Sequence, residues 1–216
     1  MKNRLIAEFI GTYFLYLLIA LCISMPQAQP MTPLAVGLGL AALIYACGHI
    51  SKAHFNPATT LTFTVAGTHE RRAFLPYVAV ILLAAVLAAL SARMINPELH
   101  QVTILQPDWG RLFIAEFLFT FVLMWVVVNV AIAHGTQGNP IYGFAIGAVV
   151  TAGAYAVGPV SFAAFNPAVA LAMAINGYIP WDALWLYWLG QGLAAASAGL
   201  LFRQMGLVDQ RQRIDS

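Results

Sequence analysis

The chain has 216 residues, of which 61% are hydrophobic and 8% charged, with a formal net charge of +2. A soluble globular domain carries roughly 25% charged residues, so this composition excludes a fold that covers itself with polar surface. The small net charge carries no signal for nucleic acid, and the apolar content comes in long blocks.

Residues 4–25, 32–50, 74–95, 111–133, 140–158 and 181–203 each form a run of about 19–23 residues with few or no charges. A helix needs about 20 such residues to cross a hydrocarbon core of about 30 Å. Six spanning helices are therefore expected, in one all-α membrane domain. The first run is too long for the apolar core of a cleaved leader and lacks an A-x-A-like site, so it reads as a retained span. Cys22 and Cys47 fall within or at the edge of spans and read as reduced packing residues.

Two further apolar stretches, 51–68 and 159–177, are too short to span. Each holds Asn-Pro-Ala and about ten mostly apolar residues, HFNPATTLTFTVAG and AFNPAVALAMAING. Asn as N-cap with Pro at the first helical position is a helix start, and Gly67 and Gly177 are stops. Each stretch therefore predicts a loop that dips into the membrane and returns as a half-length helix. Irregular backbone at that depth is tolerated only where it is buried in protein or lines a watery cavity. A pore is the economical reading. Asn96-Pro97 has no following Ala and no half-span, and reads as a turn.

With the amino terminus placed inside, Lys2, Arg4, Lys52, Arg71, Arg72, Arg203, Arg211 and Arg213 lie on the inner side, and Arg93 and Arg111 on the outer. Eight against two obeys the positive-inside rule and puts both termini in the cytoplasm. The absence of organelle signals leans toward the bacterial inner membrane. The halves also resemble each other. Ala7-Glu8-Phe9 matches Ala115-Glu116-Phe117 at an offset of 108, and Asn56 matches Asn166 at an offset of 110. Two signals at nearly one offset indicate duplication. With three spans per half, the repeats 1–108 and 109–216 must have inverted topology, with their site at the midplane.

Paired Asn-Pro-Ala boxes, AEF-type openings of both halves and the run VGLGLAALIYACGHISKAHFNP from Val36 to Pro57 resemble the aquaporin, or major intrinsic protein, family. The resemblance implies a passive channel for water, with glycerol, urea and ammonia as further candidates, and a homotetramer with one pore per protomer. Asn56, Pro57, Ala58, Asn166, Pro167 and Ala168 then form the pore boxes. His54 resembles the cytoplasmic-side pore histidine, and Glu8 and Glu116 resemble the carboxylates that brace the re-entrant loops. No cofactor or metal is called for.

The chain departs from the family at the outer constriction. Where an Arg usually follows the second box stands Val169, and the other three filter positions fall on Val36, Ala154 and Ala163. The fifth-span register admits Gly153 or Tyr155 instead of Ala154. All four are small or mid-sized and apolar, so the filter is expected to be wide and uncharged. Tyr13, Phe55, Phe162 and Phe165 are candidates for refilling it. Ala170, Ala174 and Tyr187-Trp188 resemble the water-channel branch, which disagrees with so open a filter. Lys52 stands where the family commonly has Gly. Snorkelling to the interface is the favoured reading, and gating or repelling cations is the alternative. His100 and His134 read as loop residues.

Three other functions fit the residues less well. An intramembrane enzyme needs a nucleophile–base pair or a metal set, and His49 and His54 lack acidic or thiol company. A secondary active transporter shares inverted repeats but calls for more intramembrane ionisable groups. A non-conducting member of the same fold does not need both asparagines and both half-helices.

Overall fold

The computed structural model describes residues 1–25, 28–101 and 108–208. Arg211 and Arg213, used above for orientation, lie outside them. Among the described residues the chain forms eight α-helices: α1 (Lys2–Ser24), α2 (Thr32–Ser51), α3 (Pro57–Val65), α4 (Arg71–Ile95), α5 (Trp109–Ala131), α6 (Tyr142–Ser161), α7 (Pro167–Asn176) and α8 (Leu184–Gln204). Six are long, and α3 and α7 are the half-length pair. Five of the long helices are apolar enough to cross a membrane by length and composition. The sixth, α8, falls outside that group because it carries Tyr187, Trp188 and Gln191, whose polar atoms are used inside the protein.

Small residues determine how the helices meet. On α4, Ala84, Ala85, Ala88, Ala89 and Ala92 are fully buried, and on α8 Ala194, Ala195 and Ala198 are likewise. Their three- and four-residue spacing makes one flat stripe on each helix, which lets another backbone approach closely. Each half-helix lies on the stripe of the opposite half, α3 on α8 and α7 on α4. Thr62 Oγ1 donates to Ala195 O at 3.1 Å, and Asn176 Nδ2 donates to Ala89 O at 3.1 Å. The opposite faces carry Leu75, Leu83, Leu90 and Met94, all exposed, as a lipid-facing surface requires.

The contact of α2 with α6 is closer still. A Cβ placed on Gly147 would sit 2.3 Å from Gly37 O, and one on Gly37 would sit 1.9 Å from Thr151 Oγ1. Gly37 and Gly147 therefore mark a backbone-to-backbone crossing. At the helix ends, Trp109 and Trp185 stack at 6.4 Å and, like Trp181, are exposed. His134 opens a short 3₁₀ turn, and its backbone N–H donates to Leu207 O at 3.0 Å.

Gly147→Ala should lower stability by about 1–3 kcal/mol, because a rigid carbonyl rather than a flexible side chain must move. Thermal unfolding in detergent measures it, and Gly192→Ala, with open space around its Cβ position, should leave the midpoint nearly unchanged.

Candidate functional site

The two re-entrant loops have the same backbone conformation. Lys52, Ala53 and Phe55 have φ of 71°, 48° and 48°, and Phe162, Ala163 and Phe165 have 55°, 51° and 49°. Left-handed conformations of non-glycine residues cost on the order of 1–3 kcal/mol each and persist only where the surroundings impose them. Here the surroundings are two buried carboxylates. Glu8 on α1 accepts from His54 N at 2.9 Å and Phe55 N at 2.7 Å. Glu116 on α5 accepts from Ala164 N at 3.0 Å, Phe165 N at 2.8 Å, Ser161 Oγ at 2.6 Å and Gln191 Nε2 at 2.8 Å. Both are fully buried.

Paired tyrosines and serines complete each loop. Tyr77 donates to Ser51 O at 3.2 Å and Tyr187 to Ser161 O at 2.9 Å. Ser51 Oγ accepts from Ala53 N at 3.1 Å, and Ser161 Oγ from Ala163 N at 3.2 Å. Trp188 Nε1 donates to Pro167 O at 3.0 Å. Sequence reasoning missed these partners and Gln191. The signal was present: SKAHFNPA from Ser51 and SFAAFNPA from Ser161 share Ser, Ala, Phe, Asn, Pro and Ala, and Tyr77 lies 110 residues before Tyr187.

At the midplane the loops are tied together. Asn56 Nδ2 donates to Phe165 O at 2.9 Å, and Asn166 Nδ2 donates to Phe55 O at 2.9 Å. The same two side chains cap the half-helices, since Asn56 Oδ1 accepts from Ala58 N at 2.8 Å and Asn166 Oδ1 from Ala168 N at 2.9 Å. Pro57 and Pro167 occupy the first helical positions. An amide nitrogen carries two hydrogens. The cross-loop bond takes one, and the other is available to the space between the loops.

That space is a single cavity of about 1160 Å³. Ser24, Gln29 and Glu98 line one end, His49 and Lys52 the other, and Asn56 and Asn166 the middle. Val36, Ala154, Ala163 and Val169 all line it. The neighbours of Ala154 do not: Gly153 packs on Phe165 and Phe119, and Tyr155 Oη donates to Pro30 O at 3.3 Å on an exposed surface. Phe55, Phe162 and Phe165 also line the cavity. Tyr13 does not, because its hydroxyl is drawn to Ser91 Oγ on α4 at 2.7 Å.

His54 lines the cavity with its ring against Phe63, His69 and Tyr77, at centroid distances of 4.7, 4.9 and 5.1 Å. Its Nδ1 lies 3.0 Å from Thr60 Oγ1, and that hydroxyl donates to Asn56 O at 3.2 Å. With the hydroxyl hydrogen so committed, Nδ1 is the donor and Nε2 is an unpartnered acceptor. Lys52 is exposed at the end of α2. Its left-handed backbone turns the side chain back, so that Nζ donates to Thr68 O at 3.2 Å and sits 5.8 Å from the Phe63 ring centroid. In the loop between α3 and α4, burial holds His69 below the usual imidazole range, helped by the nearby positive charges of Lys52 and Arg4.

Among the described residues no group of three or more His, Cys, Asp or Glu side chains could hold a metal ion. The cavity combines polar groups, Asn56 and Asn166 among them, with apolar side chains such as Val36 and Val169.

Comparison with known proteins agrees with this architecture. The family described as Major intrinsic protein matches residues 1–202. The chain is 34% identical to aquaporin NIP1-1 of Oryza sativa subsp. japonica, over 91% of this chain and 72% of that one. It is 29% identical to putative aquaporin NIP4-1 of Arabidopsis thaliana, over 99% and 78% respectively. The solved aquaglyceroporin of Plasmodium falciparum superimposes with a TM-score of 0.77, covering 94% of both chains at 17% identity, which shows a shared fold.

Glu116→Gln puts an amide hydrogen against a buried N–H donor. It should cost about 1–3 kcal/mol, the usual penalty for an unsatisfied buried donor. Thermal unfolding in detergent should show the drop, and osmotic water flow in proteoliposomes should fall with it.

Proposed function

The chain belongs to the major intrinsic protein family, a multi-pass membrane channel that passes water and small solutes passively, and from that premise we propose how its pore selects. The permeation path runs along the cavity, through the Asn56–Asn166 pair, and past an outer constriction formed by Val36, Ala154, Ala163 and Val169. The single observation carrying this reading is that all four residues line the same cavity as the two asparagines.

The mechanism follows from what these groups can do. Each half-helix points its N-terminus at the midplane, where it presents about half a positive elementary charge. Cations, hydronium included, meet an unfavourable potential there. The free amide hydrogens of Asn56 and Asn166 donate to a permeant oxygen, and so orient it against a continuous proton wire. Pore width, lining donors and dipoles together set selectivity. At the outer constriction these four side chains end in methyl and isopropyl groups, which set a size limit and offer neither charge nor hydrogen bonds. Glycerol and urea are therefore within the solute range, along with water and ammonia.

The remaining assignments follow the same reading. Residues 1–108 and 109–216 are inverted repeats, supported by the matched loops and their matched glutamate, serine and tyrosine partners. Both termini are cytoplasmic in a cell membrane, on the distribution of Lys and Arg. The assembly is a homotetramer with a pore in each protomer. A coupled transporter is disfavoured, because both intramembrane carboxylates are occupied by loop N–H groups.

Stopped-flow light scattering on proteoliposomes tests the filter by comparing water, glycerol and urea permeability for wild type and Val169→Arg. Wild type should pass all three, and Val169→Arg should cut glycerol and urea at least about tenfold, an added barrier of roughly 1.4 kcal/mol, while sparing most water flow. Passage of water alone by wild type, unchanged in Val169→Arg, would refute the open filter and leave the channel assignment standing.

A further inference from the structure

The outer constriction has no fixed positive charge, so cation exclusion at that end lacks one of its barriers. The other mouth supplies one. Among the described residues that line the cavity, Lys52 is the one Lys or Arg. It is anchored there, with Nζ on Thr68 O and above the Phe63 ring, two residues from His54 and four from Asn56. The equivalent residue of the second loop, 110 positions on, is Phe162, in the same left-handed conformation. The two mouths therefore differ in charge at matched positions, with the cation on the Lys52 side alone.

The outer-side arginines do not substitute for it. Arg93 donates to Ile175 O at the C-terminal end of α7 and does not line the cavity. Arg111 is exposed and sits 3.6 Å from Asp108. From these observations we infer that Lys52 is a selectivity-determining residue of this channel, the fixed cation that repels protons and small cations at the mouth opposite the missing filter arginine.

The physical basis is simple. A unit charge beside a narrow passage with low-dielectric walls has its field focused along that passage. At physiological salt the screening length is about 8 Å, enough to cover a mouth but not the whole pore. A neutral solute pays nothing to pass, while a cation meets this potential before reaching the half-helix ends. The bond to a carbonyl and the nearby aromatic face hold the ammonium of this exposed residue at the mouth. The inference rests on the passive-channel reading above and adds where its charge selectivity resides.

The test uses proteoliposomes carrying an internal pH dye and a potassium diffusion potential, with sodium influx read in parallel. Wild type is compared with Lys52→Met, Lys52→Gly and Lys52→Arg, and osmotic water flow is read in the same vesicles. Glycine suits the left-handed backbone at this position, so that variant removes the charge without straining the loop. Lys52→Met and Lys52→Gly should raise proton and sodium leak about tenfold, the scale of one unit charge in a partly hydrated site, with water flow retained. Lys52→Arg should match wild type. Unchanged leak in Lys52→Gly with normal water flow would overturn the inference, as would equal leak in Lys52→Arg and Lys52→Met. Wild-type water flow no greater than that of empty vesicles would instead overturn the channel reading itself.

Discussion

Backbone N–H groups inside a hydrocarbon layer must find partners within the protein, and the re-entrant loops concentrate that demand where helices cannot meet it. Glu8 and Glu116 answer it. Each accepts consecutive N–H groups from one loop, at 2.7–3.0 Å, and so holds three residues in left-handed conformations that a free chain would abandon. Those conformations turn the chain by enough to place Asn56 and Asn166 against the opposite loop. The asparagines then finish the structure by capping their own helices and bonding across the midplane. A buried carboxylate without such donors would be costly. With them it becomes the fixed point around which the pore is built.

The consequences for transport run outward from that centre. Two helix N-termini face each other, so the middle of the pore is electropositive without any side-chain cation. The asparagine amides lie there as the oriented donors. Beyond them one end is walled by Val36, Ala154, Ala163 and Val169, and the other carries His54 and Lys52. On the proposed reading, size and charge are handled at different depths. The crossed packing, α3 on α8 and α7 on α4, ties each loop to the other half of the chain, so neither half can shift alone.

Much of this was legible in the sequence. Six long apolar runs marked the long helices to within a few residues, and Asn-Pro-Ala ahead of a ten-residue apolar run marked α3 and α7 with their caps. Glu8 and Glu116 stood out through the repeated Ala-Glu-Phe and the family resemblance. The hydrogen-bonding partners were harder to read. Ser51, Ser161, Tyr77, Tyr187 and Gln191 are ordinary residues in helices, and only the tertiary fold brings them to the loops. Tyr13 was an aromatic in a plausible place, drawn elsewhere by one hydroxyl on α4. The docking of Lys52 depended on a positive φ, for which the Gly common in the family at that position was the one signal. Conversely, α8 looked less apolar than its neighbours for a sound reason, since its polar side chains brace the second loop and the second half-helix.

If the conducting path passes Val169 on its way to the asparagine pair, a thiol at that position is reachable from the pore. In protein with Cys22 and Cys47 replaced by Ala, Val169→Cys should react with a small water-soluble thiol reagent, and water and glycerol flow should then stop together. Leu38→Cys, on an exposed part of α2, should react without any effect on flow. Full labelling at position 169 with undiminished flow, or no reaction there at all in a conducting channel, would place the conducting path elsewhere.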